Sequence, residues 1–314
     1  MSDMKPMRVL FGETLCELGN EYSNLVVLDA DVSSSTQTKL FAGKYPDRFY
    51  NFGIAEANMV SAAAGMAVSG LIPVVSSFAF LLSLRCGDAV RSLVAYNKLN
   101  VKMAGGYGGL SDYADGASHQ SICDIGIMHA IPNITVIVPS DITETKMAVR
   151  AMLEYDGPVY LRLSREGVTQ DYASNHPFEI GKGIMLRDGE DLTIIATGMT
   201  VPMAREAAEE LEKKGISARL IDMHTTKPLD VEIVRRAAQE TGVIVTAEEH
   251  NIFGGLGSSV CAAVCENHPV PVYRCGLRDC FGESGPYQEI LERAGIDVKT
   301  IVSLSKKAIA AKIS

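Results

Sequence analysis

Two α/β domains, each a mostly parallel sheet flanked by helices, are what the sequence predicts, on three observations. Short apolar runs of strand length alternate with amphipathic runs of helical length, the order that builds parallel strands joined by crossover helices. The chain has 314 residues, enough for two domains of ordinary size. Hydrophobic residues make up 47% and charged residues 21%, the balance of a globular protein with a packed core.

Taken in order, NLVVLDADV (24–32) reads as a strand that ends in acidic and hydroxyl residues. MVSAAAGMAVSG (59–70) is a small-residue helix stopped by Gly70, and LIPVVSSFAF (71–80) is a strand with its exit loop. RCGDAVRSLVAY (85–96) is helical, and NVKMAGG (100–106) is a strand running into a glycine loop. NITVIVPSD (133–141) is a strand followed by a helix, with Ser140 or Asp141 as its cap and Glu144 placed for a capping role. PVYLRLSR (158–165) closes the first half. Residues 166–182 are polar, turn-rich and without period, so they read as a linker between domains 1–180 and 181–314. In the second half DLTIIATGMT, ARLIDMHTTKP and GVIVTAEEH read as parallel strands, separated by two helices that each run to a glycine.

Charge and cysteine usage exclude several function classes. The formal net charge of −9 argues against nucleic acid or an anionic membrane as the main partner. An anionic ligand must therefore be held by a local group of Arg and His. The seven cysteines are scattered without a C-x-x-C pair, which reads as reduced thiols rather than a zinc site. The stretch MSDMKPMRVLFGETL has no apolar core of a leader, and no run is long enough to span a membrane. A soluble, cytoplasmic protein is expected.

Common phosphate and nucleophile motifs are missing: there is no P-loop, no G-x-G-x-x-G and no G-x-S-x-G. GGLG (254–257) is a glycine turn near a helix start and nothing more specific. Two stretches stand out instead. FGIAEANM (52–59) sets Glu56 among small and apolar residues, where an unpartnered carboxylate costs several kcal/mol, roughly. By itself Glu56 reads as a helix N-terminal carboxylate favoured by the dipole. GGYGGLSDYADGASHQ (105–120) is too long and too glycine-rich for a simple connection. It follows a strand, where open α/β sheets bind ligands. Ser33, Ser34, Ser35, Phe78, His119 and Arg165 would all reach that same edge.

DADVSSS, NFGIAEANM, PVVSSFAF, DGASHQ, IPNITVIVPSD and YLRLSR carry a resemblance to the transketolases. Residues 1–180 are similar to the pyrimidine-binding domain of that family, and 181–314 to its C-terminal domain. The resemblance implies thiamine diphosphate as cofactor. It implies that Glu56 bonds the ring nitrogen of the aminopyrimidine, so that the exocyclic nitrogen takes the proton from the thiazolium carbon. Such a bond to a weak base calls for a sheltered acid. The resemblance also places Phe78, Asp31 and Leu81 at the cofactor, Phe78 by stacking. Leu81 and Leu84 stand where relatives carry aromatics, so that wall is more aliphatic here. Asp115 and His119 match the pair at the reacting end of the sugar, His119 as proton donor or acceptor. Arg165 matches an arginine that grips the far phosphate of a phosphosugar, and Ser35 and Arg8 match further residues on that side. Read without the family, Phe78 is a core residue, Asp31 a strand-end cap and Arg165 an ion-pair partner of Glu166. His129 reads as a helix-surface residue.

The chain departs from the family at Tyr107, where a histidine is usual, and at Ala114, where an acid is usual. The far end of the substrate is therefore open to a non-standard phosphosugar or another anionic sugar. The diphosphate-binding GDG…N stretch is also missing, since GDAV (87–90) lacks the second glycine. A split enzyme is implied: an N-terminal partner subunit would supply that domain and the magnesium ligands, in an α2β2 assembly. The expected activity is transfer of a two-carbon ketol unit from a ketose phosphate to an aldose phosphate, in carbohydrate metabolism such as the pentose phosphate reactions. The alternatives are the β-subunit of a 2-oxoacid dehydrogenase, a deoxyxylulose-phosphate-synthase-like enzyme and a noncatalytic scaffold.

Overall fold

A computed structural model describes residues 4–173 and 176–312. Its two large sheets have seven and five strands. In the first, Leu25–Asp29, Ile72–Phe78, Lys102–Gly106 and Val159–Arg162 are parallel neighbours. Their residues are buried almost without exception, the pattern of a sheet covered on both faces. One face packs Val26, Leu28, Val75 and Met103 against helix Glu56–Val68, through Met59, Val60 and Ala63. The other packs Val27, Val74 and Leu161 against helices Met7–Leu18 and Ile142–Glu154, through Leu10, Phe11, Val149 and Met152. Asp141 caps the last of these by accepting from the backbone N–H of Glu144, and Glu144 reaches back to the N–H of Ser140 at 2.7 Å. The expected capping arrangement is present, with Asp141 as the cap.

The second sheet places Leu192–Ala196 between Ala218–Asp222 and Ile244–Asn251, all parallel, with Val272–Leu277 beyond. Helices Thr200–Glu212 and Val298–Ala310 cover one face. Val231–Thr241 and Leu256–Asn267 cover the other. An antiparallel edge strand, Ile184–Arg187, completes it, and alternation alone does not reveal it because its residues are only half-buried.

Two expectations change on contact with the structure. ARLIDMHTTKP is two strands: Ala218–Asp222 stays in the second sheet, whereas Thr225–Lys227 pairs antiparallel with Thr135–Ile137 of the first. Segment 85–96 is not one α-helix. Wide turns over Leu81–Arg85 and Val90–Ala95 flank a short α-helical piece, with Cys86 N–H reaching the Leu81 carbonyl and Tyr96 N–H the Arg91 carbonyl, five residues back in each case. Each wide turn holds one residue more than an α-helical turn, an arrangement that often marks a functional position. Of the expected linker 166–182, Gly167–Val168 pairs with Lys5–Pro6, and residues 174 and 175 lie outside the described residues. So do residues 1–3, the start of the segment read for a leader. Among the described residues, no helix is long and apolar enough to cross a membrane.

Candidate active site

Because the central strands of the first sheet are parallel, their carboxyl ends share one edge, where such sheets bind ligands. Glu56 opens helix Glu56–Val68 and is 2% exposed. The partial positive charge of that helix start favours its carboxylate. Arg85, at the end of the first wide turn, donates from Nη1 to Glu56 Oε2 at 3.0 Å. The Arg85 side chain is 54% exposed, so the pair is closed from within and open from outside. Oε1 makes no hydrogen bond among the described residues. The sheltered acid thus has one partner among the described residues, a half-exposed guanidinium.

The rest of the edge is organised by Tyr107, buried and in the left-handed region at φ 60°. Its hydroxyl accepts from Arg8 Nη1 at 2.8 Å, and the same nitrogen reaches the Ser35 carbonyl at 3.3 Å. Its ring meets Phe78 edge-on at 4.8 Å. His119 lies 6.2 Å from the Phe78 ring and 5.2 Å from Phe80, with Nδ1 held 2.9 Å from Ser118 Oγ. The Arg165 guanidinium sits 5.2 Å from the Tyr107 ring and 4.8 Å from Tyr113, within cation–π range. Arg8, Ser35, Phe78, His119 and Arg165, far apart in sequence, are therefore one continuous cluster. Asp115 stands exposed beside it.

Leu81 is buried, whereas Leu84 is exposed. Asp31 stands apart from the cluster: it is exposed at its strand end, with Asn51 Oδ1 accepting from its N–H and Asn51 Nδ2 donating to its carboxylate. Two readings need correction. Arg165 pairs with Asp112, at 3.1 Å, and not with Glu166. His129 is not on the surface. It bonds Thr226 Oγ1 at 2.9 Å and Ser259 Oγ at 3.3 Å between the two halves, and burial, with His250 and Lys227 nearby, lowers its pKa to about 4. The helix start at GGLG is filled by the protein itself, since Glu248 accepts from Leu256 N–H at 2.7 Å and Gly257 N–H at 2.8 Å.

Three residues that sequence reasoning passed over matter here: Arg85, Asp112 and Glu249. Arg85 is the lone cation in an otherwise apolar stretch after Phe78, a signal that was available. Asp112 is fully buried, and burial first, then Asp115, pushes its carboxyl up to about 6 against the opposing pull of Arg165 and His119. Glu249 comes from the second half and fixes the glycine loop. It accepts from Leu110 N–H at 2.6 Å and from Tyr287 hydroxyl at 2.8 Å, and burial pushes its carboxyl up to about 7. Gln120 donates to the Glu283 carbonyl at 2.9 Å on the same side. The second half thus braces the loop that carries Asp115 and His119.

Chemically, the edge offers a dry carboxylate with one free oxygen, a half-exposed aromatic ring, an imidazole and two guanidinium groups. That set suits a heteroaromatic base stacked beside an anionic sugar, so the residues present fit the pyrimidine of thiamine diphosphate. Among the described residues no group of three metal-binding side chains could hold a metal ion.

Comparison with known proteins agrees with the geometry. Residues 3–170 match the model of the transketolase pyrimidine-binding domain, and 181–301 that of the transketolase C-terminal domain. A Methanocaldococcus jannaschii chain named as a transketolase C-terminal section is 48% identical over 95% of this chain and 94% of its own length. The 6-deoxy-6-sulfo-D-fructose transketolase subunit of a Clostridium species is 42% identical over 94% of this chain and 92% of its own. A solved split gene transketolase, described as an inactive β4 tetramer, superposes with a TM-score of 0.91 at 42% identity, covering 98% of this chain and 99% of that one.

Proposed function

Because the chain belongs to the transketolase family, we propose that it is the sugar-handling subunit of a two-chain, thiamine-diphosphate-dependent transketolase. Units 1–180 and 181–314 would be its pyrimidine-binding and C-terminal domains. The observation that carries this reading is Glu56, closed off from water at a helix start with one oxygen uncommitted. Bound thiamine diphosphate supplies a carbon nucleophile and an electron sink, chemistry that no side chain of the protein offers. Glu56 would hold a proton toward the pyrimidine ring nitrogen with its uncommitted oxygen, while Arg85 keeps the other. Phe78 and Leu81 would pack that ring, and Asp31, exposed at its strand end outside the cluster, would approach it from the side of Asn51.

His119 moves a proton at the sugar oxygen next to the reacting carbon. Ser118 engages Nδ1, which leaves Nε2 for that task. Asp115 orients a neighbouring sugar hydroxyl. Arg165, Arg8 and Ser35 hold the far anion of a phosphosugar or of another anionic sugar. The relative that acts on 6-deoxy-6-sulfo-D-fructose supports a far group other than phosphate.

The diphosphate and magnesium are held by an N-terminal partner subunit, in an α2β2 complex. The relative named as a transketolase C-terminal section supports this, as does the description of the solved split relative as an inactive β4 tetramer. Ile54, 79% exposed two residues before Glu56, and Leu84 beside Arg85 give an apolar rim for such a partner. All seven cysteines are unpaired, which supports a cytoplasmic setting. The test is reconstitution. The purified chain should show no ketol transfer with thiamine diphosphate and magnesium, and activity should appear when the partner is added. Full activity without a partner, or an unchanged complex on Glu56→Ala, overturns the reading.

A further inference from the structure

The two cations at the far end of the cluster are not equivalent. Arg165 Nη1 donates to Asp112 Oδ1 at 3.1 Å, between the Tyr107 and Tyr113 rings, and its backbone N–H is tied to Ser111 Oγ at 3.1 Å. Asp112 is fully buried, and its Oδ2 has no partner among the described residues. Arg8 donates only to the neutral Tyr107 hydroxyl and the Ser35 carbonyl, and no carboxylate lies within ion-pair distance of it among the described residues. Glu166 is near enough for both arginines to favour its charged form, yet it bridges neither. One arginine at this end is therefore held in an ion pair and the other is not, with the carboxyls of Glu166 and Asp115 close by.

We propose that Asp112 is a specificity-determining residue: by occupying Arg165 it sets the far-end site to take a singly charged group rather than a phosphate dianion. The proposal rests on the reading of the chain as the sugar-handling half of a transketolase. With Asp112 on Arg165, and with Asp115 and Glu166 close by, little net positive charge is left at this end, so a dianion meets more repulsion than a monoanion does. In a buried setting that repulsion is costly. A phosphate monoester loses its second proton near pH 6, roughly, so it arrives as a dianion at higher pH. A sulfonate stays a monoanion. The ion pair is too enclosed to dissolve cheaply, because removing Arg165 would leave Asp112 buried and uncompensated.

The experiment uses the complex with its partner subunit, thiamine diphosphate and magnesium at about pH 8, where the phosphate ester is a dianion. Three ketohexose donors share one skeleton and differ only in the far group: sulfonate, phosphate or hydroxyl. In the native complex kcat/KM for the sulfonate should exceed that for the phosphate by about tenfold or more. Asp112→Asn removes the charge and keeps the shape, and it should move that ratio about tenfold toward phosphate, through KM. A merely structural Asp112 would lower all three donors together and leave the ratio alone. Native preference for phosphate, or a ratio that Asp112→Asn does not move, overturns the proposal; the first needs no variant to fold. Absence of turnover with all three donors overturns the transketolase reading itself, and this proposal with it.

Discussion

Each sheet of the molecule has a glutamate at the start of a helix, and the two are used in opposite ways. Glu56 in the first half has one partner, a guanidinium that is itself half in water. Glu248 in the second half is buried and spends both oxygens on the backbone N–H groups of Leu256 and Gly257. The same local physics, a carboxylate at the positive end of a helix, yields an acid kept available and an acid consumed by the fold. The difference lies in what else reaches the group. Glu248, on strand Ile244–Asn251, is sealed by the start of the helix that follows, whereas Glu56 meets an arginine that is half in water.

Four expected outcomes sharpen this contrast, and the largest separates the two glutamates directly. Glu56→Gln should lower kcat of the reconstituted complex by about 10²–10⁴-fold, with little change in the urea midpoint. Glu248→Gln should do the reverse, costing about 1–3 kcal/mol of stability through imperfectly met buried N–H groups. Its folded fraction should keep native kcat. If the two substitutions gave the same profile, the contrast would be wrong.

Next comes the brace from the second half. Gly109 has φ +67°, and a Cβ there would lie 2.5 Å from the Glu249 carboxylate. Gly109→Ala should therefore cost about 2 kcal/mol or more and raise KM for the sugar, read by denaturant titration and steady-state kinetics.

A smaller effect concerns pH. Burial pushes the Asp222 carboxyl up to about 7, as it does Glu249. A carboxyl whose folded pKa is raised holds a proton that the unfolded chain has lost. Its contribution is complete below the unfolded value near 4, roughly, and is lost as pH rises through about 7. Buried histidines act with the opposite sign below their unfolded value near 6.5, roughly, since burial lowers His129 to about 4 and His224 to about 3, and Lys102, lowered to about 7, does so above that value. The carboxyl contribution is therefore read as a difference: the urea midpoint of Asp222→Asn should gain on that of the native chain as pH rises from about 5 to about 7. A difference that does not grow over the window would refute the assignment.

The smallest effect is that of Arg85→Ala. Because the guanidinium is half-exposed, stability should change by less than about 1 kcal/mol. The informative readout is the half-saturating concentration of thiamine diphosphate in the complex, which should shift while the fold does not.

Much of this was legible in the residues. The parallel strands announce themselves as apolar runs, and Asp141 with Glu144 reads correctly as a helix start. The family motifs carry Glu56, Phe78, His119 and Arg165, and the structure brings the last three to one edge. What stays hidden is long-range pairing. Glu56 and Arg85 are 29 residues apart and Asp112 and Arg165 are 53 apart, distances over which no periodicity connects two side chains. The wide turns are hidden for a related reason: one extra residue barely disturbs a hydrophobic pattern, yet it changes which side chain faces Glu56. GGLG reads correctly as a plain turn, and only the acid that plugs the helix start behind it, Glu248, was hidden.

The strand Thr225–Lys227, contributed by the second half to the margin of the first sheet, has a practical consequence. Severing the chain within the connection would strip Thr135–Ile137 of one of its two neighbours and bare a row of unsatisfied amides and carbonyls, a template for sticking to other chains. The N-terminal portion expressed by itself should therefore be prone to precipitate. A cut at this joint would have to repair a torn β-margin.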